Sequence, residues 1–141
     1  MKEYVSTAVI EASPATVWAI LTDGEKYKEW NPEIVGVEGR IVLGGRITAR
    51  VRLGSGAVRA VPQLVTALVP PSRMEWTGGM PFGLFTGKRT YTLTPRAHGV
   101  EFKLHVRMSG PFSSFILKSV GDRQPEIDSF SLALKIRAER K

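Results

Sequence analysis

Apolar and polar residues alternate along most of this chain, and the points where alternation yields to a helical period divide it into elements. Residues 3 to 11, EYVSTAVIE, are β-branched and alternating, which predicts an opening strand. Ser13-Pro14 then offers an N-cap hydroxyl followed by a proline at the first helical position, where its missing N–H costs nothing. Val17, Ile20 and Leu21, with Trp18 beside them, form the apolar stripe of a short helix that stops at Asp23-Gly24. A further turn or two runs from Glu25 to Trp30 and ends at Asn31-Pro32, because the residue before a proline is driven out of the α region.

From Glu33 onward the helical period vanishes. Strand-like segments at 34 to 42, 46 to 53, 57 to 69, 72 to 78, 86 to 95 and 99 to 108 are punctuated by Gly44-Gly45, Gly54-Ser55-Gly56, Pro70-Pro71, Gly78-Gly79 and His98-Gly99. Regular strands joined by tight turns predict an antiparallel meander. Gly36 or Gly39 is expected to interrupt the first of these segments, and Pro62 to mark a bulge or an edge in the third. After Ser109-Gly110-Pro111 the period becomes helical again at Phe112, Phe115, Ile116, Ser119 and Val120, and then at Ile127, Phe130, Leu134 and Ala138. Gly121 and Pro125 break this run into a short helix and a longer one.

One strand, two small helices, six more strands and a terminal helix make an α+β pattern in which one long helix must cover one sheet. A strongly bent sheet of seven strands cannot be filled by a single helix, so a concave apolar space between them is expected. With 141 residues the chain fits one domain, 1 to 141. No stretch approaches the roughly 18 apolar residues that span a bilayer, and the N-terminus lacks the apolar core of a signal peptide. A cytoplasmic protein without membrane insertion is the expectation.

Composition removes several chemistries. There are no cysteines, hence no disulfide, thiolate nucleophile or cysteine-based zinc site. The two histidines, His98 and His105, stand in no HExxH or similar set, so no metal and no other cofactor is expected. The net charge of +7 raises the question of nucleic acid, but the basic residues are dispersed. Arg46, Arg50 and Arg52 share one strand parity, with Arg59 nearby, and Lys135, Arg137, Arg140 and Lys141 close the chain. A solvated outer face accounts for them, and no nucleic-acid partner is expected.

The segments SPATVWAILTDGEKYKEWNP, GGRITARVRL, RMEWTGGMPFGLFTGKRTYTLTP and HGVEFKLHVRMSGPFSSFILKS, in that order, resemble the polyketide cyclase/dehydrase-like branch of the START-like (SRPBCC) superfamily over nearly the whole chain. The resemblance implies a helix-grip fold, a curved seven-stranded antiparallel sheet around a long C-terminal helix, with a cavity between them. It implies a small hydrophobic or aromatic molecule as partner. Carriers, receptors, cyclases and co-chaperone domains share that fold, so it does not select a reaction. The first expectation is therefore a binding protein, monomer or homodimer. The alternatives are a cyclase or dehydrase-type lyase acting on a bound polyketide-like or aromatic substrate, and a co-chaperone-like protein-interaction module.

Candidate ligand contacts follow from parity and from the resemblance. Trp30, at the end of the second small helix, falls at the mouth or wall of the cavity or in ordinary core. Met74 and Trp76 share one strand face and point toward the terminal helix, as core or as wall. The run from Met80 to Phe85 is rich in large apolar side chains, and with Phe82 and Phe85 reads as a mobile entrance loop or as a loop tucked over the core edge. Phe112 and Ile116 would form the opposite lip. On the last strand Phe102, Leu104, Val106 and Met108 face inward, while Glu101, Lys103, His105 and Arg107 face solvent. Tyr91, inward by the same parity, offers a phenolic hydroxyl to the cavity. It is the first candidate for a catalytic role, with one of the arginines as a further polar handle and the solvent-facing His105 a weaker alternative, because no paired carboxylates, nucleophile elbow or phosphate loop is present and charged residues fall mainly on outward parities. The chamber is placed under Phe112 to Phe130 and closed by the 80 to 85 loop.

Overall fold

Seven antiparallel strands form one sheet in the order β1-β7-β6-β5-β4-β3-β2 in the computed structural model, which describes residues 1 to 140. Lys141, the last of the basic C-terminal group, lies outside the described residues. The strands are β1 (Lys2–Ile10), β2 (Ile34–Glu38), β3 (Arg46–Arg52), β4 (Val58–Val69), β5 (Arg73–Met80), β6 (Phe85–Arg96) and β7 (Gly99–Ser109). Only β1 leaves chain order, crossing to pair with β7 from Lys2↔Met108 to Ile10↔Val100. Among the described residues the α-helices are α1 (Pro14–Thr22), α2 (Tyr27–Trp30), α3 (Ser113–Val120) and α4 (Gln124–Glu139), with one 3₁₀ turn, Gly24–Lys26, ahead of α2 and another, Pro81–Gly83, between β5 and β6. This is the helix-grip arrangement.

Local chemistry sets the helix ends. Ser13 Oγ accepts from the Thr16 N–H at 3.1 Å and starts α1 ahead of Pro14. Gly121, at φ 75°, stops α3 in a backbone conformation that side chains with a Cβ resist, and α4 restarts three residues later with Pro125 in its first turn. The buried stripe of α4, Ile127, Phe130, Ser131, Leu134 and Ala138, has the spacing of one helical face. Polar ties fix that helix along β1: Ser6 Oγ donates to Ser131 Oγ at 2.7 Å in the interior, and Lys135 Nζ donates to the Val9 carbonyl at 2.8 Å.

Six aromatic rings fill one end of the space between sheet and helix. Phe130 of α4 lies within 6.2 Å, centroid to centroid, of Tyr27, Trp30, Tyr91 and Phe102, and Trp76 meets Tyr91 edge-on at 5.2 Å. The other end stays open. There β4 and β5 pair only from Leu64↔Thr77 onward, leaving residues 58 to 63 of β4 bonded to β3 alone. Pro62 sits in that half-free stretch, where its missing N–H breaks no β4–β5 ladder. The bulge lies between Val65 and Ala67, not at Pro62.

The segment from Met80 to Phe85 is a hairpin turn and does not tuck over the core edge. Met80 and Phe85 are the last pair of the β5–β6 ladder, so the connection is a tight turn of Pro81, Phe82, Gly83 and Leu84. Phe82 stands at its tip at φ 60° and is 96% exposed, neither folded inward nor tucked over the core. The Phe112 N–H donates to the Leu84 carbonyl at 2.9 Å and joins this turn to the approach to α3.

Candidate functional site

A chamber of about 240 Å³ occupies the open end, between the β4–β5 gap and the α3–α4 corner. Val51, Val61, Phe85, Met108, Ile116 and Ile127 supply apolar wall. Gly78, Gly79 and Gly87 supply wall as bare backbone, and of these Gly87 is the one where a side chain would have room. A Cβ on Gly78 would lie 2.6 Å from the Pro62 carbonyl oxygen, so any larger residue would force β4 and β5 apart.

One wall is charged. Glu33, Arg89 and Arg123 meet there from three distant parts of the chain, with side chains 1%, 11% and 5% exposed. Arg89 grips the carboxylate as a fork, Nη2 to Oε1 at 2.9 Å and Nη1 to Oε2 at 3.0 Å, and Arg123 Nη2 reaches Oε2 at 3.0 Å. Each partner is held from behind. Asn31 Oδ1 accepts from the N–H groups of Glu33 and Ile34, at 2.9 and 2.6 Å, so the residue that ends α2 also aims Glu33 inward. Arg89 stands on β6 between the inward-facing Trp76 and Val106, its guanidinium over the Phe130 ring at 5.4 Å. Arg123 occupies the break between α3 and α4, where its N–H donates to Tyr4 Oη at 3.3 Å and its Nη1 donates to the Arg52 carbonyl at 3.4 Å.

Tyr91 lies behind this wall. Its hydroxyl accepts from Arg89 Nε at 2.9 Å, and its ring is wholly buried among Trp76, Phe102 and Phe130. Burial pushes its pKa up to about 12, against the opposing pull of Arg89. For Arg89 itself, burial pulls the pKa down, but the Glu33 carboxylate and then Tyr91 more than offset this and hold it above its ordinary value. Because the folded Tyr91 ionises above the unfolded value of 10.0, its contribution to stability is complete below pH 10 and is lost as pH climbs toward 12. At ~1.4 kcal/mol per unit, the loss is about 3 kcal/mol at most. Urea unfolding followed by tryptophan fluorescence from pH 9 to 12 is expected to show this decline, and Tyr91→Phe to make it shallower. An unchanged slope in that variant contradicts the assignment.

Of the candidates read from the sequence, Phe85 and Ile116 line the chamber. Met74, Trp76, Tyr91, Phe102, Leu104 and Phe130 are fully buried in the adjoining packed core. Trp30 borders a separate surface groove near Arg137, while Phe82 and Phe112 are exposed. Charged residues do fall mainly on outward positions, and Glu33, Arg89 and Arg123 are the exceptions. Arg89 was within reach, since the alternation that turns Tyr91 inward turns Arg89 inward as well. Glu33 and Arg123 precede a strand and a helix, where no periodicity assigns a direction.

The residues brought together define a helix-grip protein with an apolar chamber and one buried ionic wall. The chain belongs to the family described as polyketide cyclase/dehydrase and lipid transport, whose model matches residues 1 to 124. Among solved structures it is similar to TTHA0849 from Thermus thermophilus, at 19% identity over 97% of both chains with a TM-score of 0.75. Protein MLL2253 from Mesorhizobium loti is 20% identical over 96% of this chain and 95% of that one, with a TM-score of 0.73. The di-domain ARO/CYC BexL of the BE-7585A biosynthetic pathway is 12% identical, with a TM-score of 0.74. This chain covers 50% of its length, and 99% of this chain is matched. No curated protein sequence matches. At such identities the likenesses establish the fold. Among the described residues no helix is long and apolar enough to cross a membrane.

Proposed function

We propose that the protein binds a small, largely apolar molecule in the chamber beneath α3. The observation that carries this reading is the chamber itself, with apolar side chains and bare glycine backbone on most sides and one preorganised polar wall. Ligand sites generally combine those two elements, the first for affinity and the second for orientation. At about 240 Å³ the chamber lies below the ~300–1,000 Å³ usual for drug-sized ligands, which favours a small ligand.

The neutral fluorophore N-phenyl-1-naphthylamine is expected to brighten on entering this space. Val61→Trp, which fills the β4 wall from a half-buried position, is expected to weaken that binding by about tenfold or more while the far-UV circular dichroism stays unchanged. Equal affinity in the filled variant contradicts the chamber as the site.

A cyclase or dehydrase reaction is the second reading. It is favoured by the guanidinium N–H donors of Arg89 and Arg123 that no protein acceptor takes, which could hold a developing enolate oxygen. Incubation with a short β-hydroxyacyl thioester, which can lose water to give the enoyl thioester, and with a poly-β-ketoacyl thioester, which can close a ring by intramolecular aldol condensation, followed by mass spectrometry for those products, decides it. Unchanged thioester rejects the reading.

A further inference from the structure

We infer that the molecule accepted by this chamber carries a single carboxylate, docked against Arg89 and Arg123 with Arg59 at the mouth. This rests on the binding reading above and adds the chemistry of the head group.

Charge at the wall is unbalanced. Glu33 spends both carboxylate oxygens on the two arginines, yet one carboxylate cannot neutralise two guanidinium groups. Glu126, with its Oε1 3.8 Å from Arg123 Nη1, supplies a second negative charge behind them. Arg59 adds a third cation. It stands opposite Val51 in the β3–β4 ladder, lines the chamber from an exposed position, and enters none of the ion pairs among the described residues. Lys88 also borders the chamber, but its ammonium lies 3.9 Å from Glu75 on the outer face of the sheet and does not count toward the interior. Three guanidinium groups thus face two carboxylates, leaving one positive charge for an occupant to balance.

Geometry agrees with charge. Arg89 and Arg123 both line the chamber and retain N–H donors with no protein acceptor, in a setting with little water to screen them. A carboxylate takes paired N–H donors well, whereas an ammonium would meet like charge and an alcohol would leave the excess unbalanced. Apart from the amide of Gln63, whose Oε1 has no hydrogen-bond partner, the remaining inner walls are apolar, so the rest of the molecule is mainly hydrocarbon or aromatic.

Matched ten-carbon probes separate the head group from the tail. Calorimetric titration at pH 7.5 with decanoate, 1-decanol and decyltrimethylammonium is expected to rank them in that order, with decanoate about tenfold or more tighter than decanol. Glu33→Gln, which removes the competing charge but keeps an amide oxygen for the arginines, is expected to widen the decanoate-to-decanol ratio. Arg59→Gln, at an exposed site where folding is not at stake, is expected to narrow it by about threefold. Decanol binding as tightly as decanoate, the ammonium binding best, or a ratio that neither variant moves would each overturn the carboxylate while leaving an apolar chamber. Failure of all three probes to bind overturns the chamber reading as well.

Discussion

Glu33→Ala is expected to lower the unfolding free energy by about 3–5 kcal/mol, an effect far larger than that of any surface ion pair in the molecule. The reason is what remains after the change. Arg89 and Arg123 are nearly inaccessible, and the carboxylate is the group that grips both, so its loss leaves two buried cations facing each other. The intact triad is not a large net gain, because bringing three charges out of water offsets most of their attraction. Breaking it is costly all the same. Glu38→Ala, which unpairs the exposed Arg50, serves as the comparison and is expected to cost about 1 kcal/mol or less. Urea unfolding of both variants by tryptophan fluorescence checks the contrast. A loss below about 1 kcal/mol for Glu33→Ala would mean that water already reaches the arginines.

Phe130→Ala is expected to cost about 3–5 kcal/mol for a different reason, the cavity left where a ring was. Phe130 is the meeting point of Tyr27, Trp30, Tyr91 and Phe102, and its face carries the Arg89 guanidinium at 5.4 Å. Removing it strips packing from both the core and the charged wall. Phe130→Leu keeps most of the volume and is expected to cost less. Since Phe130 does not line the chamber, that variant should hold N-phenyl-1-naphthylamine nearly as well as the parent. Thermal and urea unfolding, with the probe titration alongside, separates the two roles. A Phe130→Leu variant that stays folded but loses the probe would place the ligand in the aromatic core.

The fold was legible because several independent patterns agree. Alternation in β7 puts Phe102, Leu104 and Val106 inside, the stripe Ile127, Phe130 and Leu134 faces them from α4, and glycine or proline stands at nearly every reversal. The same regularity could not separate a ligand wall from packed core. Met74, Trp76 and Phe102 are inward and large whether they touch a ligand or one another, and the distinction depends on where the space between sheet and helix is left unfilled. That space lies where the β4–β5 ladder ends early and Gly87 carries no side chain, and the end of the ladder is a non-local fact. The charged wall was hidden for a related reason. Charges normally face water, and the groups that make Glu33, Arg89 and Arg123 tolerable inside are each other, drawn from positions 34 or more residues apart in the sequence. Phe82 misled in the opposite sense, since a large apolar side chain in a turn suggests burial, yet the hairpin carries it outward.

The most direct test of the account is to locate a bound probe by methyl NMR. With N-phenyl-1-naphthylamine added, the methyl signals of Val61, Ile116, Val120 and Ile127 are predicted to shift and to show contacts to the probe, while those of Met74, Val65 and Leu134 in the packed core stay in place. Shifts confined to the exposed Leu132 and Ile136 of α4, or centred on the aromatic core around Phe130, would contradict it.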